Sequence, residues 1–293
     1  MQPFRIKTIS EYHKLAGLPK PEHPLISVIN MEAIKNPSID RPTRVVFDFY
    51  SIALKRHLNA KFKYGQQAYD FDEGIMFFTS PGQVFGLEVN KDEELQVSGW
   101  MLFVHPDLLW NTPLAKTIKQ YEYFDYSVNE ALHLSEKEEL MIVGILKYIE
   151  QEYHSNIDKF SQNVIVSQIE VLLNYADRYY HRQFITRKKV NHQILSKLED
   201  LLSNYFDGND LAEKGLPTVQ TIATELNVSP NYLGNMLKVV SGKNALQHIQ
   251  DKIVEKAKEK LSTTELSISE IAYTLGFEHS QSFSRFFKTK TSL

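Results

Sequence analysis

The sequence has no cysteine, which excludes disulfides, thiolate nucleophiles and cysteine-bound metals. Apolar runs such as Ile75-Met76-Phe77-Phe78 are far shorter than the ~20 residues that span a bilayer. The opening MQPFRIKTIS lacks a basic stretch followed by an apolar core, so no secretion signal and a cytoplasmic location are expected, with no membrane partner. Glycine (12) and proline (11) are too few for a fibrous or low-complexity chain. No glycine-rich phosphate loop or nucleophile elbow occurs. Strong positive charge is also missing: the net charge is −3.

Aromatic residues, by contrast, are abundant, with 17 Phe and 15 Tyr in 293 residues. They favour packed cores over disorder, and the length suits two domains. The charge is unevenly divided. Residues 1–183 carry 19 Lys and Arg against 24 Asp and Glu, a balance of −5; residues 184–293 carry 14 against 12, a balance of +2. The second half therefore permits a nucleic-acid partner that the total hides.

The first half reads as strands, then helices. Val45–Leu54 is β-rich and long enough for one strand or a bent pair, and short segments follow at Gln67–Phe71, Ile75–Thr79, Gln83–Val89 and Gly99–Phe103. Turn residues separate them, without intervening helices, which points to an antiparallel barrel or sandwich. Beyond Pro113 the period becomes helical. Ser135-Glu136-Lys137-Glu138 has the form of a capping box. A second helix is expected over Lys159–His181, with Val164, Ile165, Ile169, Leu172, Leu173 and Ala176 forming a stripe broad enough for a core face or for a homodimer face. Thr186-Arg187-Lys188-Lys189 is a basic junction between domains 1–183 and 184–293.

The second half contains a repeat. Ile222-Ala223 and Leu226 recur as Ile271-Ala272 and Leu275 at an offset of 49. Past one inserted residue, Leu233, Met236, Leu237 and Lys238 recur as Phe283, Phe286, Phe287 and Lys288 at an offset of 50. Each copy, spanning 218–240 and 267–289, has the form of a helix-turn-helix. Thr218 caps the first short helix, Asn227 takes a left-handed turn position, and Ser229 caps the next helix with Pro230 behind it. In the second copy Ser267-Ile-Ser-Glu270 is a capping box, Gly276 makes the turn and Ser280 is expected to cap the last helix. A connecting helix is expected over Asn244–Leu261, with Leu246, Ile249, Ile253, Ala257 and Leu261 on one face. Reading heads held about one DNA turn apart (~34 Å) enter successive major-groove segments. The expected DNA-facing residues are Ser229, Asn231, Tyr232, Asn235 and Lys238 in one copy and Ser280, Gln281, Ser284, Arg285 and Lys288 in the other. Amides and guanidinium groups read base edges.

The pattern Ile-Ala-x-x-Leu…Ser-Pro-x-Tyr-Leu…Leu-Lys…Gly-Lys, followed by Ile-Ala-Tyr-x-Leu-Gly-Phe…Ser-x-Ser-Phe-Ser-Arg-Phe-Phe-Lys, resembles the AraC/XylS family of transcription regulators over about 100 residues. The resemblance implies a sequence-specific regulator of double-stranded DNA. It also implies an N-terminal cupin-like antiparallel β-barrel with flanking helices, often dimeric, and a C-terminal all-α domain. Family sequences continue past the second unit with Gly, Pro and a terminal helix. This chain ends Thr291-Ser292-Leu293, with Ser where Gly is expected, so the second unit is expected to lack a supporting helix. Asn235 stands where many relatives carry a basic residue matching Arg285.

Two other readings compete. A cupin-type enzyme needs ligands, but His57, His105, His133, His154 and His181 are scattered, and Glu150 and His154 make only a lone pair on one helix face. No catalytic residue, metal or cofactor is therefore expected. The N-terminal domain of a DNA-binding protein can also serve only for oligomerisation. If it takes a small-molecule effector, Arg44, Tyr64, Phe78 and Trp100 are the expected lining.

Overall fold

The computed structural model describes residues 3–34, 43–56, 74–87, 98–127, 130–155, 158–207, 211 and 215–291. The chain forms two compact units, Met1–Gln183 and Phe184–Leu293.

The first unit is built on two sheets. One has the order β1(Phe4–Ile6), β3(Thr43–Phe47), β6(Val84–Leu87); the other has the order β2(Ile26–Asn30), β7(Ser98–Val104), β4(Tyr50–Arg56), β5(Ile75–Thr79), β8(Leu132–His133). Every pairing is antiparallel except that of β1 with β3. The β-rich run from Val45 is thus a bent pair. The described strands form two sheets, and no closed barrel joins them. The segment Gln67–Phe71 lies outside the described residues.

Alternation along β4, β5 and β7 gives the larger sheet two faces. Ile52, Leu54, Met76, Phe78 and Leu102 share one face by register and are almost fully buried. Against this face lie helix α3(Glu136–Tyr153), which packs on β2 and β7, and the aromatic segment Glu122–Asp125, which packs on β5. Phe78 meets Tyr123 at 4.6 Å and Phe124 at 5.6 Å between ring centroids. On the opposite face Ile29, Met101 and Phe103 join Ile6, Val45 and Phe47 of the smaller sheet, with Ile9 of α1(Ile9–Leu15), in one apolar cluster. Tyr12 fits edge-on to Phe47 and Phe103 there, at 5.9 and 4.6 Å.

Glu138 accepts a hydrogen bond from the Ser135 backbone N–H at 2.9 Å and opens α3. A short helix α2 spans Leu114–Thr117, and α4 spans Ser161–Thr186. The broad stripe of α4 is consumed inside the unit. Ile165, Ile169, Leu172, Leu173 and Ala176 are buried, and of the expected stripe only Val164 stays exposed, at 42%. Hydrogen bonds pin the helix along its length. Tyr123 Oη donates to Leu173 O at 2.8 Å, Gln183 Nε2 donates to Ala131 O at 3.1 Å, and Arg182 grips Glu138 at 2.6 Å. The width of the stripe is therefore the width of a core contact.

The second unit is helical in every described element: α5(Lys188–Asp207), α6(Val219–Glu225), α7(Pro230–Ser241), α8(Ala245–Thr263), α9(Ile268–Thr274) and α10(Ser280–Thr291). Ile222, Leu233, Met236, Leu237, Ile249, Ile253, Ile271, Leu275 and Phe283 form its interior. On α8 the buried face is Ala245, Ile249, Ile253 and Ala257; Leu246 and Leu261, expected on that face, are 51% and 42% exposed. Asn244 caps α8 by accepting from Gln247 N at 2.9 Å.

Candidate nucleic-acid interface

The two helix pairs share one turn, hydrogen bond for hydrogen bond. Leu226 N donates to Ile222 O and Leu275 N to Ile271 O, both at 3.0 Å. Asn227 N donates to Thr224 O at 3.1 Å and Gly276 N to Tyr273 O at 3.0 Å. Val228 N donates to Ala223 O and Phe277 N to Ala272 O, again both at 3.0 Å. Asn227 (φ 56°) and Gly276 (φ 81°) take the left-handed conformation in which the chain reverses. A side chain at Gly276 would also approach Leu216 N to 3.3 Å, so glycine answers both needs there.

The helix starts are built from local chemistry. Thr218 accepts from Thr221 N, and Ser229 accepts from Tyr232 N. Ser267 and Glu270 bond reciprocally; the Ser267 hydroxyl, then its backbone N–H, hold the Glu270 carboxyl below its ordinary pKa. In the second copy the bonds fall on His279, whose carbonyl accepts from Phe283 N, and Ser280 is the first residue of α10. The offset of 50 indeed sets His279, not Ser280, opposite Ser229.

Offset by 50, Asn231, Asn235 and Lys238 of α7 correspond to Gln281, Arg285 and Lys288 of α10. Spacings of four and three place each trio on one stripe of its helix. Gln281, Arg285 and Lys288 are all exposed, and Ser284 beside them is half-buried, its hydroxyl bonded to Ser280 O at 3.0 Å. On α7 only Lys238 of the trio is fully exposed; Asn231 and Asn235 are half-buried and engaged within the chain. Nothing lies within 4 Å of a methyl group added at Gly234, so the middle of this stripe is open. Two expected contacts prove to be packing. Tyr232 is 6% exposed, with its ring 5.3 Å from that of Phe184, and Ser229 is a buried cap. Lys290, exposed in the last turn of α10 beside Lys288, lies one residue past the 267–289 bound expected for the second copy; the continued basic run Lys288-Thr289-Lys290 was the available signal.

A family model described as a helix-turn-helix domain matches residues 222–293. The C-terminal domain of AraT, a response regulator from Geobacillus stearothermophilus, is 32% identical over 34% of this chain and 78% of its own, with a TM-score of 0.30. The C-terminal domain of the two-component response regulator YesN from Fusobacterium nucleatum is 31% identical over 32% and 90%, with a TM-score of 0.27. The chain belongs to the AraC/XylS family of helix-turn-helix transcription regulators. Over 92% of this regulator and 91% of its own chain, ToxT from Vibrio cholerae, solved with unsaturated fatty acid bound, is 15% identical with a TM-score of 0.28. No curated protein sequence matches the regulator.

The expected effector-lining residues do not converge. Arg44 is exposed, whereas Phe78 is buried on the helix-covered face of the larger sheet. Trp100 shares that face through its register with Leu54. Tyr64 and His57 lie outside the described residues. His154 bonds Glu22 at 2.9 Å rather than Glu150. No described helix is long and apolar enough to cross a membrane.

Proposed function

We propose that this transcription regulator reads duplex DNA with α7 and α10 as paired heads, α10 making the stronger base contacts. The observation that carries this is the pair of matching turns, which present Asn231, Asn235 and Lys238 in one copy where the other presents Gln281, Arg285 and Lys288. The guanidinium of Arg285 can bond guanine bidentately, and Lys238 and Lys288 suit phosphates. Retardation of duplex DNA by the full chain should weaken steeply with salt, and Lys288→Ala should lower the salt slope by about one. A slope unchanged by that substitution would remove Lys288 from the phosphate contacts. Such a role places the protein in the cytoplasm.

We further propose that residues 1–183 sense a small molecule and self-associate, with the two sheets closing on one core in the cupin-like manner. Purely oligomerising and enzymatic roles compete with this reading. With the stripe of α4 spent on the core, the face that favours a homodimer is the outer face of α3. Leu140 and Tyr148, 61% and 64% exposed, flank Gly144, where an added methyl meets nothing within 4 Å; Met141 lies beside them. Antiparallel pairing of two copies about Gly144 sets Leu140 against Tyr148 and keeps the lysines apart, with Lys137 opposite Gln151 and Lys147 opposite Met141. Parallel pairing instead sets each lysine against its own copy, a repulsive arrangement. Gly144→Glu should turn a sedimenting dimer into a monomer; a native chain that sediments as a monomer at high concentration removes the homodimer.

A further inference from the structure

The first reading helix is held at a point where the second is not. Tyr232 of α7 is buried and sets its ring edge-to-face against Phe184, with 5.3 Å between the centroids. At the matching place on α10, offset by 50, stands Ser282, which is exposed. Phe184 lies in the last turn of α4 and opens the second unit. Its carbonyl is among the four that a helix end leaves without an intrahelical donor. Asn191, in the first turn of α5, reaches back across the break at Arg187 and donates from Nδ2 to Phe184 O at 2.6 Å. Its backbone N–H bonds Arg187 O at 3.0 Å, and α5 packs along α7. Asn191 is fully buried, and its Oδ1 faces no hydrogen-bond donor among the described residues. An apolar side chain of similar shape would avoid the desolvation cost of that oxygen. What the amide supplies in return is the bond that fixes Phe184.

We propose that Asn191 is a positioning residue for DNA reading. By holding Phe184 it sets the rotation of α7 about its own axis, and so the angle at which Asn231 and Asn235 meet the groove. This rests on the paired-head reading. Tyr232 follows Asn231 by one residue and precedes Asn235 by three, so its ring stands about 100° and about 60° around the helix from them. On a helix about 5–6 Å in radius, a turn of about 10° moves a side-chain tip by about 1 Å. That is twice the tolerance of roughly 0.5 Å within which a recognition constellation works. Leu233, Met236 and Leu237 also bury the inner face of α7, but apolar contacts of that kind are non-directional, whereas a ring edge on a ring face has a preferred angle.

The experiment is binding-site selection on the full chain, scored separately for the two elements of the site, with melting points measured alongside. The element that Arg285→Ala leaves intact is the one read by α7. Asn191→Leu should cut the preference for that element about fivefold or more and leave the α10 element within about twofold. Tyr232→Leu should give the same selective loss, and the double variant should lose little more than either alone, because both break one link. Phe184→Leu removes the ring at the middle of that link and decides the matter if Asn191→Leu melts too early to assay. Ile253→Val, a core substitution in α8, should lower the melting point and leave both preferences within about twofold. Loss at both elements alike, loss at neither, or additive losses in the double variant refutes the positioning role while the paired heads stand. If the native chain selects a single element, the paired-head reading fails and this role with it.

Discussion

Replacing Gly276 with alanine tests whether the turn of the second helix pair needs the geometry that its sequence reserves for it. The residue sits at φ 81°, where an L side chain costs about 1–2 kcal/mol. The new methyl group would also stand 3.3 Å from Leu216 N and 3.4 Å from both Gly215 C and Leu211 Cδ2. Two of those three neighbours are backbone, so the segment must shift, adding about 1 kcal/mol. Gly242, the left-handed cap of α7 at φ 74°, provides the control: it has the same kind of dihedral, and nothing lies within 4 Å of an added methyl group. Gly242→Ala should therefore cost about 1–2 kcal/mol and Gly276→Ala about 2–3, within the range for left-handed strain. At roughly 4–8 °C per kcal/mol for a unit of this size, the two melting points should be separable by calorimetry on the full chain. If Gly276→Ala melts no lower than Gly242→Ala, the close packing inferred at the turn is wrong. If neither variant melts below the native chain, the argument from left-handed conformation fails as well.

Three further outcomes follow from the same contacts. Ser229→Ala should destabilise the C-terminal unit by about 0.5–2 kcal/mol through loss of the bond to Tyr232 N, seen as an earlier denaturant midpoint at unchanged slope; an unmoved midpoint would deny the cap. Gly234→Ala should raise stability by about 0.5–1 kcal/mol, because the helix gains alanine in open space, while weakening DNA binding if that open face meets the groove; a variant that is both more stable and binds equally well would turn α7 away from DNA. Burial, then the neighbouring charge of Lys243, hold the pKa of His248 below its ordinary value, and the ring meets Ser241 Oγ at 2.7 Å. The unfolded chain thus takes up this proton first as pH falls, so stability from His248 is present above about pH 6.5 and declines below it. His248→Gln should flatten that decline between pH 7 and 5, and an unchanged pH profile would contradict the assignment.

The C-terminal unit was legible because its determinants are local. Caps, a left-handed Asn227, a Gly276 and a proline behind Ser229 are signals spaced within one or two turns, and the repeat displays each of them twice. Where the reading slipped, a competing neighbour decided. Tyr232 has the polar tip of a DNA-facing residue, but its ring completes a core against Phe184, some fifty residues away in sequence. Leu246 and Leu261 match the helical period at the ends of α8, beyond the span its neighbours cover. In the first unit the strands Ile75–Thr79 and Ser98–Val104 were visible from their β-branched and aromatic content. Their inward and outward faces were not, because both faces are apolar and the helices choose which is sealed. Phe78 and Trp100, expected to line an effector site, share the face of the sheet on which α3 packs. The short strands Phe4–Ile6 and Leu132–His133 carry too few residues to show a period and depend on partners far along the chain.

Binding-site selection on the full chain, run in parallel with Arg285→Ala and Asn235→Ala, tests the paired-head reading most directly. Arg285 stands exposed at the centre of the α10 stripe, and Asn235 is half-buried at the matching place on α7. Loss of a base-reading guanidinium should relax preference at one position and cost about 1–3 kcal/mol, while Asn235→Ala should do less. The native chain should select a bipartite site with elements about one helical turn apart, and Arg285→Ala should blur only one element. An unchanged preferred sequence for Arg285→Ala, or a native site with a single element, would contradict the account.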